Sequence, residues 1–324
     1  MMWRVIAIGV TVSIHCILTA ATIPSEVKET VTFIFRPAQR GDLTFDGSGS
    51  LRQAQEGEPV PNGTGFFVGV KNEKNPLAFN TYLVTAKHVL QDQRGQLFST
   101  IWVRLNKLKG GAEFVSLDLA AVERAGQIYN HPTDNTVDIS VVPILPKQDT
   151  FAFKYIPDDL LTTKESFKAL NIMEGSDVFF TGLFLNYYGQ ERNHPIVRFG
   201  KVALMSDERV FWKEGGNPPE MLELYLVETQ SYGGNSGSPV FFYLGSDRVP
   251  GAVIAGPPVL KLAGVMKGSF NEPRMLGLAQ QNNANVSFSL QNLGIAAVVP
   301  SYLLHEILFS NGPKANREQY TGLK

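Results

Sequence analysis

The most informative part of this chain is SYGGNSGSPV, residues 231–240. Ser236 lies among Gly233, Gly234 and Gly237, and a proline and an apolar run follow directly. An ordinary surface loop has no need for so many small residues. A backbone that turns sharply and directs N–H groups at a ligand atom does need them, because glycine adopts dihedral angles that other residues avoid. The stretch therefore indicates a tight, functional turn before a strand.

The composition is that of a globular protein with a large core. The chain has 324 residues, of which 44% are apolar and 18% charged, and its formal net charge is −1. Charged residues are scarcer than the roughly 25% of an average soluble chain. Nucleic-acid binding normally needs a basic patch, and no long run of one sign occurs, so we expect no nucleic-acid partner.

The N-terminus has the layout of an export signal. Arg4 precedes an apolar run over residues 5–18, and small residues follow, including Ala20 and Ala21. The run is short for a membrane span, which needs about 20 apolar residues. The pattern predicts a signal peptide over residues 1–21, cleaved after Ala20 or Ala21. We therefore expect a secreted or periplasmic protein with no stable membrane insertion after cleavage; an uncleaved anchor is the alternative.

Cysteine usage limits the chemistry. The single cysteine, Cys16, lies inside the predicted signal, so the mature chain would have no disulfide, thiol nucleophile or thiolate metal site. A core of this size needs no disulfides, and their absence favours a bacterial envelope or secreted setting. No His, Asp and Glu residues have metal-ligand spacing, and no phosphate-binding glycine loop opens a helix. We expect neither a metal nor a cofactor.

Short runs rich in Val, Ile, Phe, Tyr and Thr recur along the chain, bounded by Gly, Pro, Asn and Asp, and they predict strands. They are VTFIF (31–35), TGFFVGV (64–70), NTYLVTA (80–86), TIWVRL (100–105), EFVSLDLAAV (113–122), VDISVVPI (137–144), SDVFFTGLF (176–184), IVRFGKVAL (196–204), MLELYLVE (221–228), PVFFYL (239–244) and VLKLAGVM (259–266). So many short strands with little helix between them favour antiparallel barrels or sandwiches.

Few segments lack this β-pattern. Residues 157–170 predict short helical turns, and residues 300–313 predict a helix that Ser301 can cap. Exposed loops are predicted at 43–62, 211–220 and 271–284, and the tail from Lys314 is expected to be loose. The weak β-pattern of 146–171 suggests a linker between an N-terminal barrel, 22–145, and a C-terminal half, 172–324.

Three segments together suggest nucleophilic catalysis. His88 ends a strand in TAKHVL, Asp138 opens one in NTVDISVVPI, and Ser236 lies in the glycine-rich turn. A serine hydroxyl needs a base, imidazole suits that role, and a carboxylate can fix the imidazole tautomer. The amides of Gly234 and Ser236 can converge on one point and stabilise an oxyanion, a contribution of about 3 kcal/mol per donor.

Structural interpretations remain open for each of these residues. Ser236 can be a turn serine, Gly234 a turn glycine, and His88 a packed strand-end histidine. Asp134 competes with Asp138, but it lies in a TDN cluster where aspartate usually caps a turn. Surface or structural roles are expected for the remaining histidines of the mature chain, which are His131, His194 and His305.

The order His, Asp, Ser, with TAKH, VDISVV and GGNSGSP around them, resembles the chymotrypsin-like (trypsin-fold) serine peptidases. GGNSGSPV is similar to the serine motif of the bacterial branch that includes glutamyl endopeptidases and exfoliative toxins. The stretch 293–308 looks like the end of HtrA-type protease domains. The resemblance covers about residues 30 to 310. It implies an all-β fold of two antiparallel six-stranded β-barrels with a short C-terminal helix and a cleft for an extended peptide. His88 and Asp138 would come from the first barrel and Ser236 from the second.

The chain departs from this family at several positions. Asn235 stands where many relatives carry an aspartate that pairs with a freed N-terminus, so we expect no activation of that kind. Ser231 replaces a threonine of the glutamyl endopeptidases, and Met266 falls near their substrate-binding histidine, so glutamate preference is not expected. Lys267 can instead attract an acidic group, or it can face solvent. Ser231, Met266 and Lys267 are the candidate substrate-binding residues.

These observations lead to one leading hypothesis and two alternatives. The leading one is a secreted serine endopeptidase acting on a peptide or protein substrate through an acyl-enzyme. The first alternative is a catalytically silent peptidase-fold module that binds a peptide or envelope protein. An esterase on the same fold is a minor third possibility.

Overall fold

The computed structural model describes residues 23–45, 50–75, 78–213, 218–245, 258–275 and 288–319. The predicted signal peptide lies outside these residues, as does most of the predicted loop at 271–284. Within the described ranges, no helix combines the length and the apolar character that crossing a bilayer requires.

The described residues form seventeen strands, which run antiparallel in all but one pairing between strands. Those of the first half and the linker are β1 (Val31–Pro37), β2 (Leu43–Phe45), β3 (Leu51–Gln53), β4 (Pro59–Lys71), β5 (Phe79–Thr85), β6 (Thr100–Asn106), β7 (Ala112–Asp118), β8 (Ser140–Pro143) and β9 (Ile156–Pro157). Those of the second half are β10 (Asp177–Gly182), β11 (Ile196–Met205), β12 (Val210–Trp212), β13 (Glu220–Leu222), β14 (Tyr225–Glu228), β15 (Pro239–Leu244), β16 (Val259–Met275) and β17 (Phe288–Pro300).

Helices are short. They are α1 (Ser25–Glu29), α2 (Leu119–Arg124), α3 (Lys164–Ala169), α4 (Ser301–Leu308) and α5 (Asn311–Gln319), with 3-10 turns at Lys87–Leu90 and Asp158–Leu160. The second of these turns and α3 fall within 157–170, where helical turns were predicted.

The first half is a rolled sheet of seven strands in the order β7-β6-β1-β4-β5-β8, with β9 parallel to β4. Within the described residues, the strand ladder ends at β7 on one side and β8 on the other. Tyr129, which follows β7 and α2, exchanges two backbone hydrogen bonds with Val141 of β8. Phe33, Phe35 and Phe66 are fully buried between the strands. The half is therefore a barrel-like roll rather than a barrel closed by strand pairing.

The second half is a closed six-stranded barrel, β10-β11-β14-β17-β16-β15. Phe242 and Val298 are among its fully buried side chains, and the rings of Phe179 and Phe241, each 1% exposed on neighbouring strands, stack at 5.1 Å. The predicted all-β architecture of two halves with a short C-terminal helix is confirmed. The second barrel has the predicted six strands, whereas the sheet of the first half has seven. The division at 146–171 remains a prediction.

The segment between the halves is attached through Thr162. Thr162 Oγ1 donates to the carbonyl of Leu262 in β16, and Ser301 Oγ donates to the carbonyl of Thr162 at 2.8 Å. The prediction that Ser301 caps its own helix is wrong, because Pro300 is the N-cap residue of α4. The Ser301 hydroxyl is used instead for this long-range contact.

Several predicted loops contain paired strands. β2 and β3 form a hairpin inside 43–62, and β4 already begins at Pro59. β12 and β13 pair across 211–220, and Trp212 is only 6% exposed. Conversely, the predicted strand 113–122 ends at Asp118, whose carboxylate accepts from Ala121 N and caps α2.

The described part of the C-terminal tail is helical through Gln319, so the prediction of a loose tail from Lys314 is wrong for these residues. Arg317 in α5 is 3% exposed, and its guanidinium donates to the Leu308 carbonyl at 2.7 Å and to Tyr82 Oη at 3.3 Å. These contacts attach α5 to α4 and to β5 of the first half.

We expect Arg317→Ala to lower the free energy of unfolding by about 1.5–3 kcal/mol, since it removes charge-assisted hydrogen bonds in a buried position. Urea unfolding followed by circular dichroism measures the change. Lys314→Ala, at an exposed position of the same helix, is the matched control. Equal effects of the two substitutions would contradict the assigned role of Arg317.

Candidate active site

His88 lies in the 3-10 turn Lys87–Leu90 that follows β5. Thr85, the last residue of β5, donates its hydroxyl to the carbonyl of Thr64 in β4 at 2.7 Å. This bond fixes the end of the strand from which the turn begins. The His88 side chain is one-third exposed, so it borders solvent on one side.

Asp138 accepts two hydrogen bonds from His88. Its Oδ1 accepts from the backbone N of His88 at 3.0 Å, and its Oδ2 lies 2.7 Å from His88 Nδ1. Val137 and Ile139 on either side are buried in the core, so the backbone that carries the carboxylate is well anchored. The two groups therefore have a defined relative orientation.

A third donor reaches the same carboxylate. Lys267 Nζ lies 2.9 Å from Asp138 Oδ2, and both side chains are less than 10% exposed. Burial raises the pKa of Asp138, but the adjacent His88 and Lys267 outweigh that effect and hold the pKa well below its ordinary value. Because an ionised carboxylate can only accept, Nδ1 of His88 carries its proton and Nε2 is left as the basic nitrogen.

Asp134, the competing aspartate, lies elsewhere. Its Oδ1 accepts from Thr136 N at 2.9 Å and from the Thr136 hydroxyl, and its Oδ2 pairs with Arg209. Burial raises its pKa, while Thr136 and Arg209 lower it more, to about 2. Asp134 thus caps a turn, and the structure brings Asp138 to His88.

The serine loop follows β14 and precedes β15. Gly234 and Gly237 have φ angles of +88° and +83°, in the left-handed region that favours glycine. A Cβ at Gly237 would overlap the Thr64 carbonyl oxygen, and one at Gly234 would lie 3.0 Å from Leu185. Both glycines are thus required by conformation and by space.

Asn235 organises this loop from inside. It is 1% exposed, donates Nδ2 to the Leu183 carbonyl at 2.7 Å and accepts from Tyr232 N at 2.9 Å. The amide side chain thus stabilises the turn by internal hydrogen bonds.

Thr64 of the first half holds the loop from the other side. Its N–H donates to the Ser236 carbonyl at 2.8 Å, and its hydroxyl donates to the Gly234 carbonyl at 2.7 Å. The same hydroxyl accepts from Leu183 N at 2.9 Å. Sequence reasoning gave Thr64 no role. The feature of the sequence that could have indicated a role for Thr64 is its position in GTGFF, where a small polar residue lies between two glycines.

The amides of Gly234 and Ser236 have no hydrogen-bond acceptor among the residues that the structure describes. Backbone N–H groups in folded proteins are nearly always paired. Two such amides, on residues separated by one position and beside a serine hydroxyl, are what an oxyanion site requires. Their use by a substrate remains a prediction.

The Ser236 hydroxyl donates to the carbonyl of Lys267 at 2.9 Å. Among the hydrogen bonds of the described residues, none joins Ser236 Oγ to the His88 ring. The structure therefore joins His88 to Asp138 directly, and Ser236 to Asp138 through Lys267. Proton transfer to His88 requires the hydroxyl to leave that carbonyl.

The candidate substrate-binding residues are all buried. Ser231 is 1% exposed and accepts from Asn292 Nδ2 through its carbonyl, and the Met266 side chain is 0% exposed. The Met266 backbone accepts from Gly237 N at 2.8 Å. Lys267 is 7% exposed and directs its ammonium at Asp138 rather than at solvent. Contact of these residues with a substrate stays a prediction.

The other histidines make contacts of a structural kind. His131 Nε2 lies 2.9 Å from Glu306 Oε2, His194 stacks on Tyr187, and His305 stacks on Phe309. In the described part of the chain, no group of three or more His, Cys, Asp or Glu residues is arranged to hold a metal ion.

Comparison with known proteins gives only distant similarity. No protein-family model matches the chain, and no curated protein matches it. Among solved structures, the active form of the Rv3671c protease from M. tuberculosis is 14% identical over 87% of this chain and 80% of that chain, with a TM-score of 0.44. Human heparin binding protein is 11% identical over 89% of this chain and 93% of that chain, with a TM-score of 0.41. At these identities and TM-scores, the similarity is no evidence for an activity of this protein. Any functional proposal therefore depends on the geometry of the site.

We expect Thr64→Val to lower the free energy of unfolding by about 1–3 kcal/mol, because the Gly234 carbonyl and Leu183 N–H lose a buried partner. Reactivity of Ser236 toward an acylating reagent should fall as well. Thr181→Val is the matched control, since the buried Thr181 hydroxyl has no hydrogen-bond partner within the described ranges. A loss of stability no larger than that of the control would refute the role of Thr64.

The ion pair of Asp134 gives a pH dependence with a defined sign. Its pKa is about 2 in the fold and about 3.9 in an unfolded chain, so ionised Asp134 stabilises the fold above pH ~4. That contribution is lost as the pH falls from about 4 toward 2. Between pH 6 and pH 3, the urea midpoint of Asp134→Asn should therefore change less than that of the wild type. Asp207→Asn, at an exposed position, should follow the wild type.

Proposed function

We propose that this protein is an exported serine endopeptidase that hydrolyses peptide bonds through an acyl-enzyme. The observation that carries the proposal is the hydrogen-bonded pair His88–Asp138, in which the histidine tautomer is fixed. The pair lies where the two halves of the chain meet, as does Ser236 with two backbone amides that have no acceptor in the described chain. Base, orienting carboxylate, nucleophile and oxyanion donors are the parts that acyl transfer needs. The serine motif favours the bacterial branch of the trypsin-fold peptidases.

The reaction assigns one task to each residue. Ser236 Oγ attacks the scissile carbonyl carbon while His88 Nε2 takes the hydroxyl proton. The carbonyl oxygen becomes an oxyanion that the amides of Gly234 and Ser236 stabilise. His88 then gives the proton to the leaving amine as the C–N bond breaks. Water, deprotonated by His88, attacks the acyl-enzyme and releases the acid and free Ser236.

Asp138 contributes orientation and charge. Its Oδ2 keeps Nδ1 protonated and its Oδ1 holds the backbone N of His88, so that Nε2 is the nitrogen left to take the proton of Ser236 during the reaction. Its negative charge stabilises the imidazolium that forms during transfer. The low pKa of the carboxyl means that Asp138 stays ionised throughout.

One observation favours the second candidate, a silent module that binds a peptide without cutting it. The Ser236 hydroxyl donates to the Lys267 carbonyl and not to His88. Hydrogen bonds of catalytic groups are often poorly aligned before substrate binds, so this geometry does not exclude peptidase activity. It does make the reactivity of Ser236 the property to measure.

Labelling with a fluorophosphonate probe, beside hydrolysis of casein, tests the proposal. The wild type should be labelled, and mass spectrometry of the digested protein should locate the label at Ser236. Ser236→Ala and His88→Ala should not be labelled, and turnover should fall by about 10⁴-fold or more.

Ser238→Ala is the matched control, because the buried Ser238 hydroxyl has no hydrogen-bond partner in the part of the chain that the structure describes. It should keep both labelling and turnover. A folded Ser236→Ala variant that still cleaves casein would exclude the mechanism. A folded wild type that is neither labelled nor active, yet binds an extended peptide, would favour the silent module.

Export is the remaining part of the proposal, and the N-terminal sequence carries it. N-terminal sequencing of the protein recovered outside the cytoplasm should begin at Ala21 or Thr22. A recovered chain that begins at Met1 would contradict cleavage.

A further inference from the structure

Lys267 contacts both the proposed nucleophile and the orienting carboxylate. Its carbonyl accepts from Ser236 Oγ at 2.9 Å, and its Nζ donates to Asp138 Oδ2 at 2.9 Å. That Oδ2 is also the oxygen that meets His88 Nδ1. The ammonium and the imidazole thus share one acceptor atom.

A contribution to folding stability does not by itself explain a buried lysine at position 267. Lys267 and Asp138 have 8% and 6% of their side chains exposed. Removing two charges from water costs several kcal/mol per ion, and apolar residues of similar volume often stabilise a core equally well. A buried ion pair in contact with a proposed catalytic base therefore suggests a role for its charge.

Trp212 closes the other side of the ammonium. Lys267 Nζ lies 5.3 Å from the centre of the Trp212 ring, and the indole packs on Phe270 at 4.9 Å. A Cβ at Gly268 would lie 3.5 Å from the same ring. The aromatic face favours a cation and keeps water from the ion pair, which strengthens its electrostatic effect.

We propose that Lys267 is a positioning residue of the site, whose ammonium fixes the Asp138 carboxylate against His88 and keeps a permanent positive charge beside the imidazole. The proposal rests on the function proposed above, and it adds that Lys267 sets the pH range over which His88 can act as the base. With Asp138 and Lys267 both ionised, their charges cancel. Protonation of His88 then leaves the group of three with a net charge of +1.

The other charged groups around the Asp138 loop are engaged with partners. Asp134 pairs with Arg209, and His131 contacts Glu306. The Lys87 ammonium donates to the carbonyl of Asn135. Among described residues that hydrogen-bond to the Asp138 carboxylate, Lys267 supplies the only lysine or arginine charge.

The charge has a consequence for the pH range of the base. A like charge disfavours the imidazolium, so Lys267 should keep His88 neutral, and therefore able to accept a proton, at a lower pH. Removing the ammonium should move the titration midpoint of His88 upward by about one pH unit. The acid limb of kcat/KM against pH should move in the same direction.

NMR titration of the His88 Cε1–H signal tests this without any need for activity. The spectrum of the mature chain contains four histidines, and His88→Gln assigns the signal. Lys267→Met, which removes the charge but keeps the length, should raise the midpoint by about one unit. Lys261→Met, at a partly exposed lysine of the same strand, should leave it unchanged. An unchanged or lowered midpoint in Lys267→Met would overturn the proposal.

A second variant covers the case in which Lys267→Met fails to fold. Lys267→Gln retains a donor for Asp138 without the charge, so its midpoint should also rise while kcat falls less than in Lys267→Met. An unchanged or lowered midpoint in a folded Lys267→Gln would overturn the proposal.

The two proposals fail in different ways. A protein that fluorophosphonate does not label, but whose His88 titration midpoint depends on Lys267, would lack the proposed peptidase activity. It would still have the proposed effect of the Lys267 charge on His88. A protein that is labelled, with a midpoint independent of Lys267, would be the peptidase without this control.

Discussion

The site depends on the burial of one carboxylate. Asp138 is 5% exposed, and it remains ionised because three donors surround it: the backbone N and Nδ1 of His88, and Nζ of Lys267. His88 comes from the first half of the chain and Lys267 from β16 of the closed barrel. A buried charge without these donors would be strongly unfavourable. The two halves therefore have to meet at Asp138, and the site lies where they meet.

The serine loop depends on the same junction through backbone hydrogen bonds. Thr64 belongs to β4 of the first half, yet it binds the carbonyls of Gly234 and Ser236 in the second. Gly237 allows the Thr64 carbonyl to approach so closely that no side chain fits between them. The position of Ser236 is thus set by contacts across the junction, while the glycines provide the conformations that those contacts need.

Lys267 connects these two systems. Its carbonyl receives the Ser236 hydroxyl, and its ammonium completes the shell of Asp138. A movement of β16 at this residue would displace the Ser236 hydroxyl and the Asp138 carboxylate together. Trp212, from a hairpin between β11 and β14, covers the ion pair and so links a third segment to the site. The peptidase and silent-module interpretations differ in whether Ser236 can leave the Lys267 carbonyl for His88.

Local sequence was sufficient for many of the strands, and it singled out His88, Asp138 and Ser236 as the candidate site residues. Alternating and β-branched runs such as VTFIF and PVFFYL report strand-forming preference directly, and GGNSG reports a turn that only glycine permits. Composition could not reveal the β12–β13 hairpin around Trp212 or the helix around Arg317 in the tail, because both are stabilised by residues far away in the chain. For the same reason, Lys267 was expected to meet a substrate or solvent. Its burial against Asp138 joins positions 129 residues apart, and only the packing of β16 against the first half decides that contact.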